Sequence, residues 1–127
     1  MEIASMKRLL ALVLLTQGLA LSLAQAAEPI SIRTNTAGEL ADACATNPRE
    51  PGADAKINFC HGFAQGAITV QLRASGDKKP FCFPSPAPSR GTTMGEFVAW
   101  VKAMPDRRAM PSSEGLFKFL GERYPCK

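Results

Sequence analysis

The stretch DAKINFCHGFAQGAITVQLRA, residues 54–74, decides the fold. Its positions Ile57, Cys60, Ala64, Ala67, Ile68 and Leu72, with Gln71 beside them, recur at three- and four-residue spacing, which is the period of one helix face. Asp54 stands where a helix cap is wanted, and the segment from Ser75 to Gly91, with Gly76 and prolines 80, 84, 86 and 88, cannot continue the helix. Gly62 and Gly66 lie four apart inside this longest helix. Each costs about 1 kcal/mol relative to alanine, so the expected compensation is a neighbouring helix packed closely on the face they share.

Working outward, Thr36-Ala37-Gly38-Glu39 has the form of a capping box and opens a first helix carrying Ala37, Leu40, Ala41 and Cys44, ended by Asn47-Pro48. Residues 27–34 ahead of it read as an extended polar arm with Ile30 and Ile32 alternating. A second box, Thr93-Met94-Gly95-Glu96, is expected to open a third helix bearing Phe97, Val98, Val101 and Met104 as far as Pro105. A fourth begins near residues 111–113, carries Leu116, Phe117, Leu120 and Tyr124, and stops at Pro125-Cys126. The expectation is all-α: a small disulfide-stapled bundle of about four helices. Phe63, Phe97, Trp100, Phe117 and Phe119 are core candidates, while Phe81 and Phe83, flanking Cys82, read equally as core plugs or as an exposed tip.

The chain has 127 residues, a net charge of +4, 46% hydrophobic and 20% charged residues, which suits one globular domain and excludes a two-domain enzyme, a coiled coil or a wholly disordered chain. Residues 1–26 read as a secretory signal peptide: Lys7-Arg8, an apolar run from Leu9 to Leu23, then Ala24-Gln25-Ala26 for cleavage. Gln17, Gly18 and Ser22 interrupt a run that is short for a bilayer, so no stable membrane anchor is expected after cleavage. The remaining domain, residues 27–127, carries a net charge of +3, too little to imply nucleic acid. All four cysteines, Cys44, Cys60, Cys82 and Cys126, lie in it, and an even count in an oxidising compartment implies two disulfides. Their separations of 15, 21 and 43 intervening residues lack the close pairs of a zinc site. An up-down order of helices favours Cys44 with Cys60 and Cys82 with Cys126. A bundle of less simple order leaves the crossed pairing, Cys44 with Cys126 and Cys60 with Cys82.

His61 is the one histidine, and its neighbour Cys60 points about 100° away around the helix and is expected to be oxidised. Position 57 is Ile, so Cys60-His61 is not a haem attachment motif, and the chain has no Cys-x-x-Cys pair and no glycine-rich phosphate loop. No catalytic, cofactor-binding or metal-ligating residue is assigned. Glu114 and Glu122, eight apart on one helix, read as solvated, and the pairs Lys78-Lys79 and Arg107-Arg108 as loop charges serving either an acidic partner or solubility.

The order Leu40-x-x-x-Cys44, Cys60-His61-Gly62-Phe63-x-x-Gly66, Phe81-Cys82-x-Pro84, a capped helix followed by Met104-Pro105, and a final Tyr124-Pro125-Cys126 resembles the Rap/Tai immunity protein family over residues 36–126. Gly62, Phe63, Gly66, Pro84 and Pro125 carry the motif with the cysteines. The resemblance implies a small all-α periplasmic protein, not an enzyme and without a cofactor, often homodimeric, that binds a type VI secreted peptidoglycan amidase and occludes its active site. The build is also similar to that of periplasmic acid-stress chaperones, which gives the alternative reading, although one histidine offers little pH leverage. A neutralising protein of this kind is expected to insert a protruding loop, 47–55 or 75–91, into its partner's cleft.

Overall fold

Thr36 begins the first helix as the Thr-x-x-Glu spacing predicts. Its Oγ1 accepts from the Glu39 amide at 3.2 Å, and the Glu39 carboxylate accepts in return from the amides of Thr36 and Asn35. The computed structural model describes residues 29–127, so the expected signal peptide, residues 1–26, lies outside the described residues. Over them run five helices: α1 Ala37–Cys44, α2 Ala53–Ala74, α3 Arg90–Ala103, α4 Pro105–Arg108 and α5 Ser112–Arg123. Among the described residues the only β pairing is an isolated antiparallel bridge between Thr36 and Pro111.

The extra element, α4, is a single turn. Met104 leaves helical geometry at φ −140°, ψ 124°, and Pro105, with its fixed φ and missing N–H, restarts a helix at the first position. Two caps also differ from expectation. Gly52, in the left-handed region at φ 75°, rather than Asp54 precedes α2, and Asp54 instead sits in the first turn, where its charge suits the helix dipole. Ser89 rather than Thr93 caps α3: its hydroxyl accepts from the Thr92 amide at 3.0 Å, and the Thr93 hydroxyl, one turn inside the helix, donates back to the Ser89 carbonyl. The serine comes first in the chain, directly after Pro88, and the helix starts at the first competent cap.

The core centres on α1, whose Ala37, Gly38, Leu40, Ala41 and Ala43 are all buried. Around it Phe81, Phe97, Val101, Leu116 and Leu120 are almost fully enclosed, each such side chain contributing roughly 1.5–3 kcal/mol on burial. Phe63, Trp100 and Phe117 are partly buried against this cluster, and Phe119 joins it. Phe81 is a core plug, stacked on Phe117, whereas Phe83 is half-exposed. Two disulfides staple the frame, Cys44–Cys60 with Cα atoms 5.2 Å apart and Cys82–Cys126 with Cα atoms 4.9 Å apart.

The close approach expected at Gly62 and Gly66 does not occur among the described residues. A Cβ built on either meets nothing within 4 Å, because this face of α2 points away from the bundle. The close approach is at Gly115 instead: the Ala37 amide donates to the Met110 carbonyl and the Ser112 amide to the Asn35 carbonyl, which draws the starts of α1 and α5 together until a Cβ on Gly115 would lie 2.6 Å from that of Ala37. Gly115→Ala should therefore destabilise the fold by about 1–3 kcal/mol through overpacking, despite alanine's better helix propensity. Urea denaturation of the variant beside the native chain checks this.

Candidate recognition surface

The proline-rich segment between α2 and α3 turns sharply at its start, with Gly76 at φ 54°, and is then tied down three times within two residues. Phe81 fills the core. The Cys82 amide donates to the Tyr124 carbonyl at 2.8 Å, and the Cys82 sulfur is bonded to Cys126. Phe83 packs edge-on to Phe81 and lies over Tyr124, ring centroids 5.1 Å apart. Beyond this stem, Pro84, Ser85, Pro86 and Ala87 are exposed, with the Ser85–Pro86 peptide cis. From Pro80 to Ser89 no side chain carries a charge.

Two hollows flank the tip. A cleft of about 630 Å³ runs along one side, its walls including Phe83, Pro84, Pro86, Tyr124, Glu96 and Arg123. Pro125 lines this cleft too, so the sequence motif residues Pro84 and Pro125 come together here. A smaller hollow of about 170 Å³ on the other side is lined by His61, Gln65 and Ile68 of α2 and by Phe83, Arg90 and Met94. His61 thus has no carboxylate or thiol beside it in that hollow, and a nucleophile–base–acid arrangement is not assembled around it. Among the described residues no cluster of three or more His, Cys, Asp or Glu side chains is arranged to hold a metal, and no helix is long and apolar enough to cross a membrane.

The larger cleft is polar along part of its lining. Arg123 makes a two-pronged contact with Glu96, both bonds 3.0 Å, and the Tyr124 hydroxyl donates to the same carboxylate at 3.0 Å. These donors, Arg123 first and then Tyr124, hold the Glu96 carboxyl below its ordinary range, and the same bond raises the Arg123 guanidinium. Burial, chiefly, raises the Tyr124 phenol. Glu96 was expected as a cap; it is a cross-helix anchor.

The other proposed insertion loop, exposed over residues 47–51, is tied by local turns. The Glu50 amide donates to the Asn47 carbonyl and the Ala53 amide to the Glu50 carbonyl, and Ile30 of the arm lies against Gly52. The basic pair at 107–108 is also spoken for: Arg108 bonds Asp42 at 2.7 Å, while Arg107 donates to the Trp100 carbonyl and its guanidinium lies 4.0 Å from the centre of the Trp100 ring. Trp100 in turn donates from Nε1 to Glu122 at 2.6 Å, so Glu122 is a partner and not a free surface carboxylate. Lys78 and Lys79 remain exposed.

A family model described as Rap1a immunity proteins matches residues 36–126, from the capping threonine to the last cysteine. The chain belongs to the Rap1a immunity protein family. No curated protein and no solved structure matches it. Membership makes it an immunity protein, a binder of a secreted effector protein. In this family member the four cysteines and Phe81 hold the frame, whereas Gly62, Phe63 and Gly66 lie on α2, with both glycines exposed and Phe63 partly buried.

Because Glu96 is ionised in the folded chain at pH values where it is protonated when unfolded, its contribution is present above its ordinary value of 4.5 and is lost as pH falls through the lower folded value. Glu96→Gln should be less stable than the native chain at pH 7, and the difference should shrink as the pH is lowered below 4.5. Parallel urea titrations at pH 7 and in the acid range measure that convergence.

Proposed function

We propose that the mature domain, residues 27–127, is exported by cleavage of residues 1–26 to the periplasm, where it neutralises a type VI secreted peptidoglycan amidase by binding it, as a homodimer and without turnover of its own. The element that enters the amidase cleft is the proline-rich tip of the 75–91 loop. The observation that carries this placement is the contrast between a stem fixed by core burial, a backbone hydrogen bond and a disulfide, and a tip, residues 84–87, that is exposed. A loop already held in one conformation loses little entropy on docking, so more of its contact energy becomes affinity. Its uncharged, apolar side chains suit the desolvated centre of an interface, and Lys127, Arg123 and Glu96 around the cleft suit the wetter rim. The 47–55 loop is held only by local turns and lacks such a stem of core burial.

Cells that export the amidase to their own periplasm should survive when this chain is co-expressed. Pro84→Gly combined with Pro86→Gly should weaken the purified complex at least tenfold, or about 1.4 kcal/mol, while an exchange of residues 47–51 leaves it unchanged. Calorimetry or interferometry reads both. Unchanged affinity in the proline variant would remove the tip from the interface; suppression of aggregation at low pH without any protection would favour a chaperone instead.

A further inference from the structure

The smaller hollow beside the proline-rich tip is walled by three elements that are each held in place from elsewhere. Ala64 and Ile68, four apart on one face of α2, form one wall, the buried Met94 closes it from α3, and Phe83 closes it from the disulfide-tied stem. The buried Thr93 hydroxyl in its lining is already committed to the Ser89 carbonyl, so these walls are apolar in effect. At about 170 Å³ the hollow matches the apolar cavity of about 150 Å³ that admits a single benzene ring. The thioether of Met94 and the ring of Phe83 give an aromatic guest favourable contacts beyond its burial.

Of the acidic and basic side chains, only His61 and Arg90 line this hollow, and no carboxylate does. Arg107 and Arg108 of α4 and Arg123 of α5 each face a carboxylate, those of Glu122, Asp42 and Glu96. Arg90, the first residue of α3, is exposed and has no ion pair among the described residues. An apolar hollow with an unanswered guanidinium beside it is complementary to a ring with a carboxylate next to it.

We infer that the hollow receives one aromatic side chain of the bound effector, with a carboxylate on the following residue of that protein paired to Arg90. The apolar walls select the ring, and the guanidinium selects the acid over a neutral or basic neighbour. Phe83 lines both the hollow and the larger cleft, so a partner that closes around the tip brings its own rim over the hollow. To that extent the inference rests on the tip being the docking element. Because the walls stand before the partner arrives, little ordering entropy is lost on filling them. The ring supplies most of the affinity, since an exposed ion pair contributes little and is screened by salt.

Four blocked dipeptides, titrated into the isotope-labelled mature chain and read from the amide shifts of Ile68, Arg90 and Met94, test this without the effector. Acetyl-Phe-Glu-amide is expected to bind with a dissociation constant of millimolar order, about threefold tighter than acetyl-Phe-Gln-amide at low salt, with the difference lost at about 1 M salt. Acetyl-Ala-Glu-amide, which lacks the ring, should bind at least about tenfold more weakly. Arg90→Gln should make the glutamate and glutamine peptides equal, and Arg90→Glu should reverse the order in favour of acetyl-Phe-Lys-amide. Both changes are at an exposed position, and an unchanged melting temperature verifies the fold. No shift at those amides up to about 20 mM peptide, an alanine peptide that binds as well as the phenylalanine one, or a preference for glutamate that survives Arg90→Glu overturns the inference. Each of these leaves the immunity reading standing, because cell protection and the effect of the tip prolines are measured separately.

Discussion

The enclosure of α1 is the constraint on which the other elements depend. Eight residues long, this helix is covered by α2, α3, α4 and α5, and helices so short have little stability of their own in water. It persists because its first turn is closed by the reciprocal Thr36–Glu39 bonds and because its small side chains admit backbone at close range: Gly115 against Ala37, and Arg108 against Gly38, where a Cβ would come within 3.1 Å of the arginine. Three of the surrounding elements are then attached by different kinds of bond. The Cys44–Cys60 link ties α2, the isolated bridge between Thr36 and Pro111 ties α5, and the Arg108–Asp42 contact ties α4. A domain of this size buries a modest share of its surface, so two covalent links of roughly 2–4 kcal/mol each form a large part of what keeps it folded.

What could be read from sequence followed the range of the forces involved. The α1 box and the apolar spacing of α2 are local patterns whose partners sit within four residues, and these were legible. Thr93-x-x-Glu96 misled because residues three apart share one helix face wherever they stand, so the same spacing fits a cap or a position one turn inside. Only the presence of Ser89 behind Pro88 tells the two apart. Gly62 and Gly66 announced free space but not whether anything fills it, which depends on where the other helices run. Contacts such as Glu96–Arg123 and Asp42–Arg108, 27 and 66 residues apart, had no local signature at all.

The residues that hold the frame and the residues exposed at the proline-rich tip are largely different sets. Cysteines, the α1 cap and the buried Phe81 are fixed by packing and covalent geometry, and a change in any of them alters the frame. The tip at 84–87 is exposed beyond that frame, so its side chains carry little of the core packing. Scaffold similarity therefore specifies the frame more firmly than it specifies the effector bound. The same separation extends to α2. Its inner face, Cys60 and Ala64, belongs to the core, while on its outer face a Cβ at Gly62 or Gly66 would meet nothing among the described residues.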